Sequence, residues 1–396
     1  MIVRKIREEE YLRTRQVFAI AFEQPLDPAA ATPEALLQVK ERPRERGEQY
    51  WQECWAAFSE EGQMMSFLRG APASVHFDTG TGTCTCIGAV SSLPQYRGRG
   101  AVAACFRQHL QDSYQAGVEF SYLYPFSTRF YRQFGYELAA QAVEWTLDTA
   151  SLPALLADPG EAVLSEEMSH FADMQTVYEQ FASAYNMTFV RERLDWLPRV
   201  SSNPAQDGKY TYLWCNGAGE PKGLVTFEKE ALPSGGKQMV CTAFYYTDLE
   251  GLRGLLQHLR SYRSHFQQVR FSLPVPVALE TLLPEVVGCC RRELVFSGMG
   301  RVVHVERALR LAQYRGTGEV CFRLTDPCIP ENNRVFRVTF AEGRCQQISD
   351  QGEPTLQLDV ARFSRLLLGG CGWEEFPQEP FSQIFYPKKL FVCDFF

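Results

Sequence analysis

The residues with the most definite chemistry lie in Gln95-Tyr-Arg-Gly98-Arg-Gly100, a Q-x-x-G-x-G segment. Its two glycines let the backbone turn tightly and come close to a ligand. Successive N–H groups there can converge on one spot, reinforced by the N-terminus of a following helix. Arg97 and Arg99 add mobile positive charge suited to phosphates. The set suits a pyrophosphate if a strand leads in and a helix leads out. Thr83 to Leu93 reads as that strand and AVAACFRQHLQDSYQ as that helix. The segment lacks the third glycine and the distant acidic residue of a dinucleotide fingerprint, and it lacks the GK[ST] of a P-loop. The plainer alternative is a glycine-rich turn before a surface helix, with two solvated arginines.

Other chemistry-bearing residue types are scattered. The six histidines, His76, His109, His170, His258, His265 and His304, form no H-x-x-x-H pair, and there is no G-x-S-x-G elbow. Ordinary core or surface roles are expected for them, and no metal centre. Thirteen cysteines run from Cys54 to Cys393, and the tight clusters Cys84-Thr-Cys86 and Cys289-Cys290 lack a second pair at zinc spacing. An odd count without an apolar leader points to free thiols in a reducing, cytoplasmic setting. No apolar run approaches the roughly 20 residues of a membrane span.

The chain has 396 residues and a formal net charge of −7, with no long basic run. Nucleic acid is therefore not an expected partner, whereas mild acidity is compatible with cationic small molecules. Aromatics are abundant, with 28 Phe, 17 Tyr and 6 Trp, enough for a core and an aromatic-lined pocket.

The elements that must position the loop follow from periodicity. Residues 7–22 read as a helix, and residues 44–59 as a second helix carrying Trp51 and Trp55 one turn apart. That pair either packs on a core or walls a substrate pocket. Met64 to Leu93 reads as strands broken at Gly70-Ala-Pro and Thr79-Gly-Thr-Gly. Val118 to Tyr124 and Ala142 to Leu147 are further strands, making residues 1–150 one α+β unit. Residues 151–295 form a second unit, with helices near 168–186 and 249–265 and strands at Tyr210–Cys215, Lys222–Glu228 and Gln238–Tyr246. Its strand–helix–strand order echoes the first unit without the glycine loop. A third unit, 296–396, has strands at 318–325, 334–340 and 355–359, the helix ARFSRLLLGG and a hydrophobic end, KKLFVCDFF, that should be tucked into the protein.

With those elements in view, IGAVSSLPQYRGRGAVAACFR (87–107) resembles motif A of the GNAT N-acetyltransferases, and YPFSTRFYRQFGYE (124–137) resembles the motif B that follows it. The whole length, with a third unit opening near SGMGRVVHVE, resembles the Eis (enhanced intracellular survival) family. The resemblance implies a mixed α+β fold of two GNAT-type domains, the second degenerate, and a sterol-carrier-protein-like domain that delivers the C-terminus. It implies an acetyl-CoA-dependent N-acetyltransferase whose acceptor is an amine, either a small molecule (an aminoglycoside or polyamine) or a Lys side chain. It also implies a homohexamer.

Set on this sequence, acetyl-CoA would lie where two parallel strands splay. Val90, Ser91, Ser92 and Leu93 would line its thioester, Arg97, Gly98, Arg99, Gly100 and Ala101 would take its diphosphate, and Phe126 would stand at the mouth. Tyr131 matches the family's general acid, with a packed aromatic as the alternative and Tyr136 as the nearest rival. The carboxylate of Phe396 matches the family's base, unless DFF only plugs a groove. Some relatives carry an acidic residue just before the last position. Here Phe395 stands there, with Asp394 one further back, so aminoglycoside acetylation does not carry over directly. Tandem GNAT units ending in a carboxylate also occur in N-myristoyltransferases, which keeps a longer acyl-CoA open, and a lipid- or protein-binding scaffold is the non-catalytic reading.

Overall fold

The computed structural model describes residues 1–26, 50–153, 159–196, 199–200, 203–275, 277–369, 383–386 and 388–394. The chain divides into two compact units, the first made of Met1–Ala139, Gly298–Lys388 and Asp394–Phe396, the second of Ala140–Ser297 with Lys389–Cys393.

The first unit opens with strand β1 (Ile2–Lys5) and helix α1 (Tyr11–Ala21). Then come β2 (Cys54–Phe58), β3 (Met64–Phe77) and β4 (Gly80–Ser92), antiparallel in succession. The expected helix at 44–59 is not formed over its described part. Tyr50–Glu53 is a single 3-10 turn, and Cys54–Phe58 is a strand buried at every position. A strand packed on both faces loses the period-two alternation that would have distinguished it from a helix. Nor does Gly70-Ala-Pro break β3. Gly70 is needed there because the His109 ring fills the space a Cβ would take.

Helix α2 (Ala101–Gln115) buries Ala101, Cys105, Phe106 and Leu110 on the sheet and leads into β5 (Phe120–Leu123), which runs parallel to β4. A short helix, α3 (Thr128–Arg132), is capped by the Ser127 side chain accepting from the Phe130 N–H, and β6 (Glu137–Leu138) follows.

In the second unit a seven-stranded sheet contains β7 (Gln141–Asp148), β8 (Gly160–Leu164), β9 (Lys209–Asn216), β10 (Pro221–Ala231), β11 (Lys237–Tyr246), β12 (Gln268–Pro274) and β13 (Cys290–Phe296). Their order is β13-β7-β12-β11-β10-β9-β8, so Gln141–Asp148 belongs to this sheet and not to the first. Helices α4 (Phe171–Ala182) and α5 (Leu249–Ser261) cover it. Helix α5 lies between β11 and β12, which are parallel, repeating the β4–α2–β5 plan of the first unit. The tail segment Lys389–Cys393 packs here. Phe391 is buried against Phe181 and Tyr185, and the Asn186 N–H donates to the Lys389 carbonyl at 2.6 Å.

The rest of the first unit begins at β14 (Met299–Val302), which enters the first sheet between β5 and β6, giving the order β1-β2-β3-β4-β5-β14-β6. After helix α6 (Val305–Leu311), a separate sheet of β15 (Gly318–Thr325), β16 (Val335–Ala341), β17 (Arg344–Ser349) and β18 (Leu356–Asp359) leads to helix α7 (Val360–Leu368). The Ser364 hydroxyl of α7 accepts from the Val302 N–H of β14 at 2.8 Å, tying this part to the first sheet.

Candidate active site

The site is built on a discontinuity in β4. Phe67 of β3 pairs with Ser91 and Arg69 with Gly88, so Ala89 and Val90 together face the single residue Leu68. Ala89 takes a left-handed φ of 52° to make this bulge, and the Ser91 hydroxyl donates to the Ala89 carbonyl at 2.9 Å. A bulge bends its strand. Parallel pairing of β4 with β5 accordingly ends at Ile87 and Leu123, while β4 continues to Ser92. From Gly88 onward no described strand pairs with the side of β4 that faced β5. The Leu93 N–H is committed to the Met65 carbonyl at 3.0 Å, so by backbone alternation the Ser92 N–H points to the open side.

Beyond Leu93 the loop turns into α2. Gly98 and Gly100 both hold left-handed φ, 75° and 76°, and a Cβ at either would meet nothing within 4 Å. Their glycine character thus answers to backbone conformation, with free space in front. Gly100 is the N-cap of α2 and has no side chain to satisfy the first-turn N–H groups, which a helix leaves unpaired. Arg97 and Arg99 are exposed beside them, Arg99 lying over the Tyr96 ring at 5.5 Å. This cradle fits a diphosphate. Among the described residues no group of three or more His, Cys, Asp or Glu could hold a metal ion.

Tyr131 sits on α3, 2% exposed, with Phe126, Phe130 and Phe106 rings 5.2 to 5.6 Å away. It shares an apolar cluster with Ile87 and Ala101, and Val90 packs against that cluster, so the open strand, the helix start and the tyrosine come together. Burial raises its phenol above the ordinary value for tyrosine. The rival, Tyr136, is fully buried with its hydroxyl 2.6 Å from that of Ser121. Tyr131 makes no hydrogen bond through its side chain among the described residues. Phe126 is 72% exposed. Phe396 lies outside the described residues. The tail nevertheless reaches the first unit at Asp394, which is buried and whose carbonyl accepts from the Tyr124 hydroxyl at 2.8 Å, just after the end of β5.

Two features were missed by sequence reasoning. One is a cavity of about 210 Å³ on the bulge, lined by Tyr11, Arg15 and Phe18 of α1, Arg69 of β3, and Gly88 and Ala89. Cys54 also lines it, but burial pushes that thiol up to about 12, which removes it as a nucleophile. The other is Arg301 on β14, fully buried, paired with Asp326 at 2.5 Å and donating to the Phe134 carbonyl. It braces the turn that follows Tyr131 from a strand far away in sequence. No local signal marks either feature.

Comparison with known proteins decides the class. Residues 2–139 match a GNAT acetyltransferase domain, residues 188–302 match another GNAT acetyltransferase domain, and residues 305–377 match a sterol carrier protein domain. The chain is a tandem GNAT acetyltransferase. Its fold is that of a probable N-acyltransferase from Enterococcus faecalis (20% identity, 100% of this chain and 99% of that one, TM-score 0.85). It is equally that of a GCN5-related N-acetyltransferase from Anabaena variabilis (22% identity, 100% of both chains, TM-score 0.83). Eis1 from Mycobacterium abscessus is similar at 18% identity over 100% of both chains, with a TM-score of 0.78. No curated protein matches the acetyltransferase by sequence. The GNAT fold implies an acyl-CoA as co-substrate, and the open edge and glycine cradle of the first unit suit one. No helix among the described residues is long and apolar enough to cross a membrane.

Proposed function

We propose that this protein transfers the acetyl group of acetyl-CoA to a small amine by direct attack within one site. The observation that carries the reading is the end of β4–β5 pairing at Ile87 and Leu123, directly upstream of the Gly98 and Gly100 cradle. An extended pantetheine arm can add to the open edge as a further strand. Val90, Ser91 and Ser92 line the thioester, with the Ser92 N–H turned toward its carbonyl oxygen. Leu93 contributes its buried side chain to the same wall, and Phe126 covers the mouth. Arg97, Gly98, Arg99, Gly100 and the N–H of Ala101 hold the diphosphate.

Acetyl transfer makes a C–N bond and breaks a C–S bond, so one proton must leave the amine and one must reach sulfur. Tyr131 supplies the second. Its raised pKa keeps the phenol protonated, and a thiolate of pKa near that of cysteine, about 8.5, can take that proton. The Phe396 carboxylate is the base or cation anchor for the amine. The position of Asp394 in the first unit supports this, because it leaves two residues to span from the Tyr124 contact. Twelve free cysteines among the described residues fit a reducing, cytoplasmic setting, and exposed Leu294 and Phe296 on the edge strand β13 fit an oligomer.

The test is calorimetric binding of acetyl-CoA together with thiol release when amines are added. One site per chain and amine-dependent release are expected. Absence of acetyl-CoA binding overturns the reading, and faster turnover of a longer acyl-CoA would reassign the donor.

A further inference from the structure

The cavity at the β4 bulge has a size and a charge that bear on the acceptor. Building on the acetyl-transfer reading, we infer that this pocket selects small amines that also carry an anionic group, a carboxylate being the fitting chemistry, with Arg15 and Arg69 as its specificity-determining residues.

The pocket touches the reacting strand. Gly88 and Ala89, the first residues of the open stretch, form one wall, so an amine standing there is beside Val90 and Ser92. The volume, about 210 Å³, is below the roughly 300–1,000 Å³ of sites that enclose drug-sized ligands. A compact amine fits within it.

The charge runs against a polycation. Two guanidiniums line the cavity and no acidic side chain does, among the described residues. Arg69 is paired with Glu53 at 2.7 Å, and both side chains are largely buried, so its planar face is fixed in place. Arg15 is half-buried on α1. Arg15 thus presents its guanidinium to the cavity without an ion-pair partner among the described residues. Beside it, Tyr11 and Phe18 form an apolar flank, and the Thr14 hydroxyl is already committed to the Tyr11 carbonyl at 2.7 Å. A carboxylate that accepts from Arg15 gains a charge-assisted hydrogen bond in a partly desolvated setting. A second ammonium placed there meets like charge instead.

The experiment compares acceptors that differ only in the anionic group. ω-Amino carboxylates from 3-aminopropanoate to 6-aminohexanoate are set against the matching alkylamines and against spermidine, with acetyl-CoA saturating and thiol release as the readout. The best carboxylate-bearing acceptor should show a KM lower than its alkylamine by about tenfold or more, the worth of one hydrogen bond to a charged group. Arg15→Gln should raise the KM of that acceptor at least several-fold more than it raises that of the alkylamine. Equal or lower KM for alkylamines or spermidine overturns the assignment, as does an Arg15→Gln effect that is the same for both classes. Failure of the underlying reading looks different, because acetyl-CoA would then not bind in calorimetry and no amine of either class would release thiol. Arg15→Lys, which keeps the charge, should restore part of the discrimination and guards against a folding defect in the glutamine variant.

Discussion

Gly100 and Asp248 hold the same place in the two GNAT domains, each at the N-cap of the helix that follows the splaying strand. At Gly100 no side chain among the described residues caps the helix N-terminus. At Asp248 the carboxylate accepts from the Gly251 N–H at 2.9 Å and meets the Lys222 ammonium at 3.1 Å. β11 also outruns its pairing with β12, which ends at Val240 and Arg270, so the second domain keeps the splay. What it lacks is a vacant anion site, since its own aspartate fills it.

Exchanging that feature should silence the first domain. Gly100→Asp places a carboxylate on the proposed diphosphate donors, and aspartate tolerates left-handed φ well enough to preserve the loop. Acetyl-CoA affinity should fall by about a hundredfold or more through like-charge repulsion. Asp248→Ala should leave one acetyl-CoA per chain and lower stability by about 1 kcal/mol, the usual loss of an N-cap. Calorimetric stoichiometry reads both. Two sites in Asp248→Ala would mean that the aspartate alone had closed the second domain.

Tyr131→Phe removes the proposed proton donor and little else, because the ring packing is retained. kcat should fall by about 10²–10⁴ while the KM for acetyl-CoA stays within a few-fold. Burial raises the phenol above its usual value near 10, so it stays protonated across any ordinary assay range. An alkaline loss of activity below about pH 10 would then belong to another group, and the wild-type profile should be flat on Tyr131's account up to there. Tyr136→Phe, which loses the Ser121 partner, should lower stability more than kcat.

The legible parts of this protein are the locally encoded ones. QYRGRG states its own conformation, since only glycine readily takes the φ found at positions 98 and 100. Strands such as Gly318–Thr325 stood out through alternation and their flanking turns. Cys54–Phe58 did not, because CWAAF is buried on both faces and carries no period. Gln141–Asp148 reads as a strand, yet its partners are Gln268–Pro274 and Cys290–Phe296, and nothing in its own residues names them. The same holds for Met299–Val302, which opens the third stretch of sequence but completes the first sheet. Of the candidate site, the conformation of the glycine loop was readable, whereas the placement of Arg15, Arg69 and Arg301 depends on contacts made only after folding.

His109 gives the fold a built-in acid sensitivity. It is 1% exposed, its Nε2 lies 3.1 Å from the Thr85 hydroxyl, and burial lowers its pKa to about 3. In the unfolded chain the value is about 6.5. Between those two pH values the unfolded state binds a proton that the folded state refuses, so stability is full above about 6.5 and is lost as pH falls toward 3. The effect is on the order of 5 kcal/mol at its limit. Denaturation midpoints measured from pH 7.5 down to about 4 should fall steeply in the wild type. They should fall less steeply in His109→Gln, even though that variant starts lower at neutral pH through lost packing against Trp55. Parallel slopes would assign the acid sensitivity to other groups, His258 first among them, since burial lowers it to about 4.

The end of the chain offers the sharpest separation between binding and chemistry. The Tyr124 hydroxyl holds the Asp394 carbonyl, and the proposed base is two residues further on. Tyr124→Phe frees that carbonyl and should loosen the placement of the carboxylate, reducing kcat by roughly three- to tenfold for one lost hydrogen bond. Acetyl-CoA affinity should not change, because neither residue belongs to the Gly98–Gly100 cradle. A Gly-Ser extension after Phe396 moves the terminal charge away while leaving every side chain in place. It should reduce kcat by about a hundredfold or more if the carboxylate removes the amine proton. Full activity in the extended protein would leave the amine to lose its proton to solvent, and Asp394 would then be only a packing residue.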